Sequence, residues 1–289
     1  MKAFIYKVFA WAARYMGVWI VSAFAWIVST GYFLFLPRRT AHSVRFYRTL
    51  FPDRGFWGHL GLAWKQYHDF AAQYADRLRL KYSPEKIVYT TEGWSFLKEI
   101  MDSGRGAILL MSHVGSWETA ARLLSRQKAK LLLLMGARSG EQIEALQKSD
   151  LKQDGVEILA ADPDDESSFS VLDMLDFIKK GGIISMAGDR AYTGDHRSIE
   201  VNFCGRKVSV LSAPHAFALI TKTPIITFFA LRIGRGRFHF IALKPRYVKT
   251  ESRKDKAKVL QASAQVYADD LAKIVSRYPG QWHHFEPFV

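Results

Sequence analysis

The sequence predicts an α/β fold: a mostly parallel sheet flanked by helices, with an N-terminal membrane-anchor helix and a helical lead-in before it. Three observations carry this. Short apolar runs alternate with segments of helical periodicity from residue 87 onward, the pattern of strands covered by helices on both faces. Residues 37–90 instead read as helical throughout, with Trp64, Tyr67, Phe70, Tyr74 and Leu78 at helical spacing, a stripe suited to packing. Residues 16–36 form an uncharged stretch of 21 residues, long enough as a helix to cross about 30 Å of hydrocarbon.

Taken in order, the anchor occupies 1–36 and a single domain follows over 37–289, with a lead-in at 37–90 and an α/β core at 87–289. Lys2, Lys7 and Arg14 precede the apolar stretch, and Arg38, Arg39, Arg45 and Arg48 follow it. Pro37-Arg38-Arg39 is a poor cleavage context, which argues against a removable signal peptide. The segment reads as a single membrane helix or a deep interfacial anchor, with a helix lying on the domain as the alternative. The larger basic cluster after it places the domain on the cytoplasmic side. Strands are expected at 107–111, 130–134, 156–159, 183–186, 225–231 and 238–243, the last as an antiparallel edge. Helices are expected at 117–126, 140–151, 168–179, 211–221 and 256–277. The acidic run 162–166 reads as a solvated loop and helix start.

Composition narrows the partners. The net charge is +14, aromatics make up 14% of the residues, and Trp occurs eight times. The charge points to an anionic partner, and the aromatics turn that expectation toward an anionic membrane rather than nucleic acid. The single cysteine, Cys204, excludes an internal disulfide and a cysteine-based zinc cluster. His283 and His284 are adjacent and make a poor zinc site by themselves, and His215, after Pro214, reads as structural. No GxGxxG, Walker A loop or GxSxG elbow is present, so dinucleotide, nucleotide and serine-hydrolase readings lose their usual anchors. No cofactor and no metal is expected.

The motif that carries chemistry is Ser112-His113-Val114-Gly115-Ser116-Trp117-Glu118. His113 ends an expected strand and Glu118 opens the next helix, in the crevice where ligands bind in open α/β sheets. The spacing lets one carboxylate orient one imidazole, leaving the other ring nitrogen as a general base. Gly188, Asp189 and Arg190 follow another expected strand and belong to the same edge if the two are parallel. They bind polar substrate groups or form a tight turn. Arg138, on a third such loop, binds an anion or is an exposed arginine. Gly205 and Arg206 sit in an expected turn, suited to phosphate contact or to plain solvation.

These residues together resemble the bacterial lipid A late acyltransferases of the lysophospholipid acyltransferase superfamily. The resemblance runs from the apolar N-terminus through the His113–Glu118 box and Gly188-Asp189-Arg190. It continues through Val201-Asn202-Phe203-Cys204-Gly205-Arg206 to Tyr278-Pro279-Gly280-Gln281-Trp282. It implies transfer of a fatty acyl chain from a carrier thioester, on acyl carrier protein or coenzyme A, to a hydroxyl or amine of a lipid acceptor. It further implies His113 as base, Glu118 as its orienting acid, and Arg138 and Asp189 as substrate contacts, at the bacterial inner membrane with the catalytic domain on its cytoplasmic face. Arg190 departs from the glutamine common in that family, which leaves other glycolipids or aminolipids open as acceptors. A membrane-anchored thioesterase or lipid hydrolase using the same pair is the alternative. A basic nucleic-acid binder is a weaker one, since it explains neither the apolar stretch nor the strand-end histidine.

Overall fold

A computed structural model describes Tyr15, Leu151, Gln153 and residues 17–136, 156–161, 171–189 and 198–283. Three helices lead: α1 (Val18–Phe35), α2 (Pro37–Leu50) and α3 (Phe56–Tyr82). The core follows as β1 (Val88–Glu92), α4 (Trp94–Ser103), β2 (Ala107–Met111), α5 (Trp117–Arg126), β3 (Leu131–Gly136), β4 (Glu157–Ala161), α6 (Val171–Lys179) and β5 (Ile183–Ala187). It is completed by β6 (Ser198–Phe203), β7 (Arg206–Leu211), α7 (Ala213–Thr221), β8 (Ile225–Gly234), β9 (Arg237–Ala242) and α8 (Lys256–Arg277).

Seven strands form one sheet in the order β1-β9-β8-β2-β5-β3-β4. Every neighbouring pair is parallel except β8 and β9. The central strand β2 shows why the sheet is sandwiched. All five of its side chains are buried. Ile108 and Leu110 enter one core, with residues of α2, α3, α7 and α8, whereas Ala107, Leu109 and Met111 enter the other, with residues of α4 and α5. A strand alternates its side chains between faces, so a run of five apolar residues needs cover on both sides.

The mixed sheet, the anchor-length apolar helix and the helical lead-in agree with the sequence expectation. Three details differ. The 238–243 segment is antiparallel to its neighbour as expected but is not an edge, because β1 pairs along its far side. β1 is exposed throughout and lacks the apolar run that marks a buried strand. The turn expected around Cys204 joins β6 and β7 into a separate antiparallel hairpin. Cys204 and Gly205 both have positive φ there, as a two-residue hairpin turn requires. The expected helix at 140–151 and the acidic run at 162–166 lie outside the described residues, save Leu151.

One close backbone approach shapes the carboxyl edge of the sheet. Gly115 has φ +72°, and a Cβ there would lie 1.9 Å from the carbonyl oxygen of Ala230. This proximity lets the Ser116 N–H donate to that carbonyl at 2.7 Å, docking the β2–α5 loop onto β8. Gly115→Ala is therefore expected to lose at least about 1–3 kcal/mol from backbone strain before any clash is counted. Chemical denaturation of the purified variant measures it, and an unchanged midpoint would contradict this account of the loop.

Candidate active site

β2 and β5 run parallel in register, with Met111 opposite Ala187. Continuing both strands by two residues brings His113 beside Asp189. The Gly188 N–H donates to the Met111 carbonyl at 3.0 Å, extending the ladder past the strand ends. Gly188 is required for space as well: a Cβ would lie 2.8 Å from Leu110 Cδ1 and 2.9 Å from Tyr267 Cε1. The Tyr267 hydroxyl, fully buried beneath the site, donates to the Met111 carbonyl at 2.9 Å. Burial raises that phenol well above its ordinary range, so it stays a donor.

Asp189 accepts three hydrogen bonds. The His113 ring Nδ1–H donates to Oδ1 at 2.8 Å, the His113 backbone N–H to Oδ2 at 2.8 Å, and the Trp282 indole Nε1–H to Oδ2 at 2.8 Å. Burial by itself would push the carboxyl up. The charge and ring hydrogen bond of His113, with the Trp282 and backbone donors, overcome it and hold Asp189 well below the usual carboxylate range. An ionised carboxylate only accepts, so Nδ1 carries the proton and Nε2 is left to act as a base. The Asp189 side chain is 0% exposed and that of His113 is 33% exposed, so the pair is sealed on the carboxylate side and open on the imidazole side.

Trp282 is delivered by the segment that follows α8. This strap pairs with the His113 loop through an antiparallel bridge between Val114 and Trp282. The Gly115 N–H donates to the Gln281 carbonyl at 2.9 Å and the His283 N–H to the His113 carbonyl at 3.2 Å. Gln66 of α3 donates to the Trp282 carbonyl at 2.7 Å, and the Tyr47 hydroxyl of α2 donates to the Pro279 carbonyl at 2.9 Å. The helical lead-in therefore holds the strap, and the strap holds Asp189.

The expectation that Glu118 orients His113 is corrected by this geometry. Glu118 is buried, forms an ion pair with Arg77 of α3, and accepts from Arg122 one turn along its own helix at 3.2 Å. No hydrogen bond or ion pair joins it to His113. At the first turn of α5 its side chain points to the helix pair, whereas the carboxylate in line with His113 is two strand positions past β5. Gly188 and Asp189 are thus brought to His113. Gly205 and Arg206 lie at the tip of the β6–β7 hairpin, and no hydrogen bond or ion pair among the described residues links them to His113 or Asp189. Arg138, Arg190 and His284 lie outside the described residues. Sequence reasoning missed the bond from Trp282 to Asp189. Its one trace along the chain is that Trp282 closes the Tyr278-Pro279-Gly280-Gln281-Trp282 segment noted above.

A mostly parallel sheet thus carries, at its carboxyl edge, a histidine held by a buried carboxylate, the edge beyond which open α/β sheets bind their ligands. Residues 56–288 match the family model of the bacterial lipid A biosynthesis acyltransferases, and the chain belongs to that family. A comparison with curated proteins found no match.

Two predictions separate the carboxylates. Glu118→Ala leaves the Arg77 and Arg122 charges without their shared acid and is expected to cost about 3–5 kcal/mol of stability, read by chemical denaturation. A cost under about 1 kcal/mol would count against the structural role. Asp189 acts on acid stability. Its folded pKa is depressed, so its contribution is fully present above about pH 4 and is lost as pH falls through the lower folded value. Asp189→Asn should therefore be less stable than the parent at neutral pH, with the difference shrinking below about pH 4. Parallel denaturation curves at both pH values check it, and a gap that does not narrow would refute it.

Proposed function

We propose that this acyltransferase moves a fatty acyl chain from a carrier thioester, on acyl carrier protein or coenzyme A, to a hydroxyl or amine of a lipid acceptor at the bacterial inner membrane. The lipid A precursor or another glycolipid or aminolipid is the acceptor. The domain of residues 37–289 carries the reaction on the cytoplasmic face, and the apolar N-terminal segment holds it to the bilayer. The single observation that carries the mechanism is the buried Asp189 carboxylate bonded to His113 Nδ1 at 2.8 Å.

In this mechanism His113 Nε2 takes the proton of the acceptor hydroxyl as its oxygen attacks the thioester carbonyl carbon. Asp189 keeps the imidazole in the required tautomer and stabilises the imidazolium that forms. The tetrahedral intermediate collapses, the carbon–sulfur bond breaks, and the thiolate receives the proton from the imidazolium. The products are the acylated lipid and the free carrier thiol. The substrate supplies the nucleophile, so no acyl-enzyme is required. Gly188 lets the backbone approach closely beneath the pair, and Glu118 keeps α5 seated on α3. Arg138, Arg190 and Arg206, in loops predicted on or near this edge, are proposed to bind anionic groups of the donor or acceptor.

His113→Ala is expected to fold normally and to lose at least about 10²-fold in kcat, and Asp189→Asn to lose about 10²–10⁴-fold. Both are measured as acylated lipid formed from a labelled thioester. Near-parental turnover in folded His113→Ala, or thioester hydrolysis that is indifferent to added acceptor, would overturn the mechanism.

A further inference from the structure

The membrane association proposed above leaves open how α1 meets the bilayer. We propose that α1 lies flat in the membrane surface, as one wall of the catalytic domain, and does not cross the bilayer. The inference deepens the membrane reading and rests on it.

The first observation is what α1 packs against. Val18 and Val21 cluster with Ala75 and Leu78 of α3. Further along, Thr30 bonds to His68 at 3.1 Å, and the Phe33 ring packs on Trp64 and Tyr67 at 5.1 and 5.6 Å. The two helices therefore run antiparallel over the whole of α1, whose 18 residues measure about 27 Å. Along that same stretch α3 is fastened to the domain through Gln66 to the Trp282 carbonyl, Asp76 to Arg232 at 2.6 Å and Arg77 to Glu118. A bilayer core of about 30 Å drawn around an upright α1 would have to swallow α3 and its charges Lys65, Asp69, Asp76, Arg77 and Arg79, with the sheet behind them.

The second observation is where the aromatic side chains fall. A spanning helix collects Trp and Tyr at its two ends, at the two interfaces. Here Trp19, Trp26 and Tyr32 are all more than half exposed and are spread along the whole helix, with Trp26 also packing one side of its ring on Trp64 and His68 of α3. A helix lying in the interface puts every one of them at headgroup depth. Its outward side carries no charge and includes Ile27, Leu34 and Phe35.

The third is the continuation beyond the helix. Because α1 and α3 are antiparallel, the end of α1 meets the start of α3, where Phe56 and Trp57 are 60% and 79% exposed. Arg38, Arg39, Arg45 and Arg48 of α2, the helix that follows α1 directly, are exposed and form no ion pair with a described residue. An apolar aromatic face followed by exposed arginines complements an anionic lipid surface. Phe70 and Gln73, on α3, contact His283 of the strap, so a flat α1 puts the His113 site about one helix away from the lipid headgroups.

The test uses the full chain in a Cys204→Ser background, with single cysteines at Trp19→Cys, Ile27→Cys or Leu34→Cys, spin-labelled and bound to vesicles of phosphatidylethanolamine and phosphatidylglycerol. Depth is read from the accessibility of each label to oxygen and to a polar nickel chelate. A flat helix puts all three labels at one shallow depth, about 5–10 Å below the headgroups. A deep Ile27 label between shallow Trp19 and Leu34 labels would establish a crossing helix and overturn the inference while leaving membrane association standing. Three water-accessible labels on protein that does not float with vesicles would overturn both. Phe56→Ser with Trp57→Ser should weaken vesicle binding by roughly tenfold. Unchanged binding would take that end of the α1–α3 pair out of the surface and refute the flat arrangement. Acyl transfer assayed on the same vesicles reports the chemistry separately.

Discussion

A carboxylate cut off from water must find its hydrogen bonds within the protein, and Asp189 finds them in two separate stretches of chain. His113 supplies two donors from the loop after β2, and Trp282 supplies the third from the strap after α8. Leaving an ionised group there without donors would cost several kcal/mol. The register of β2 with β5, the space left by Gly188 and the docking of the strap are thus parts of one requirement. The same requirement sets the chemistry. The donor that reaches Oδ1 is the imidazole, so satisfying the carboxylate also fixes which ring nitrogen is free.

Helix α3 transmits this requirement to the rest of the molecule. Its Gln66 holds the Trp282 carbonyl, and its Arg77 takes Glu118 of α5. Its Asp76 receives Arg79, Arg232 and the Gly236 N–H at the end of the β8–β9 pair. Burial lowers the Arg79 guanidinium, and the Asp76 charge opposes that lowering. Asp76 is therefore a second buried carboxylate that is tolerated because cations and a backbone donor surround it. One face of α3 thereby organises the sheet edge and the strap. The opposite face receives α1 through aromatic and small apolar contacts, so α1 and the His113–Asp189 pair share a single support.

The basic balance of the chain has a distribution as well as a size. In the body of the domain the cations are matched, since Arg77 and Arg122 share Glu118 and Arg246 meets Asp270 at 2.5 Å. Arg38, Arg39, Arg45 and Arg48 have no acidic partner among the described residues. Surface charge without acidic partners adds little to folding, and it is available for attraction to an anionic surface.

Much of this was legible along the chain. The buried run of β2, the period of α8 and the apolar stretch of α1 each follow from side-chain spacing, which is local. His113 and Asp189 were both readable as strand-end residues, because an apolar run that stops at a polar residue marks where a strand leaves the sheet. Their partnership was not readable, since Glu118 is five positions from His113 and Asp189 is 76 positions away. Sequence distance favoured the wrong carboxylate. The register between two parallel strands decided the pairing, and register is set by which strands become neighbours in the sheet. Trp282 and the strap depend on the same tertiary fact at still longer range. Spacing along the chain is enough to set a histidine and an aspartate at strand ends and to mark α1 as a long apolar helix. Which acid bonds to the histidine, and which side of α1 is left exposed, follow from packing between distant segments that carry no signal of one another.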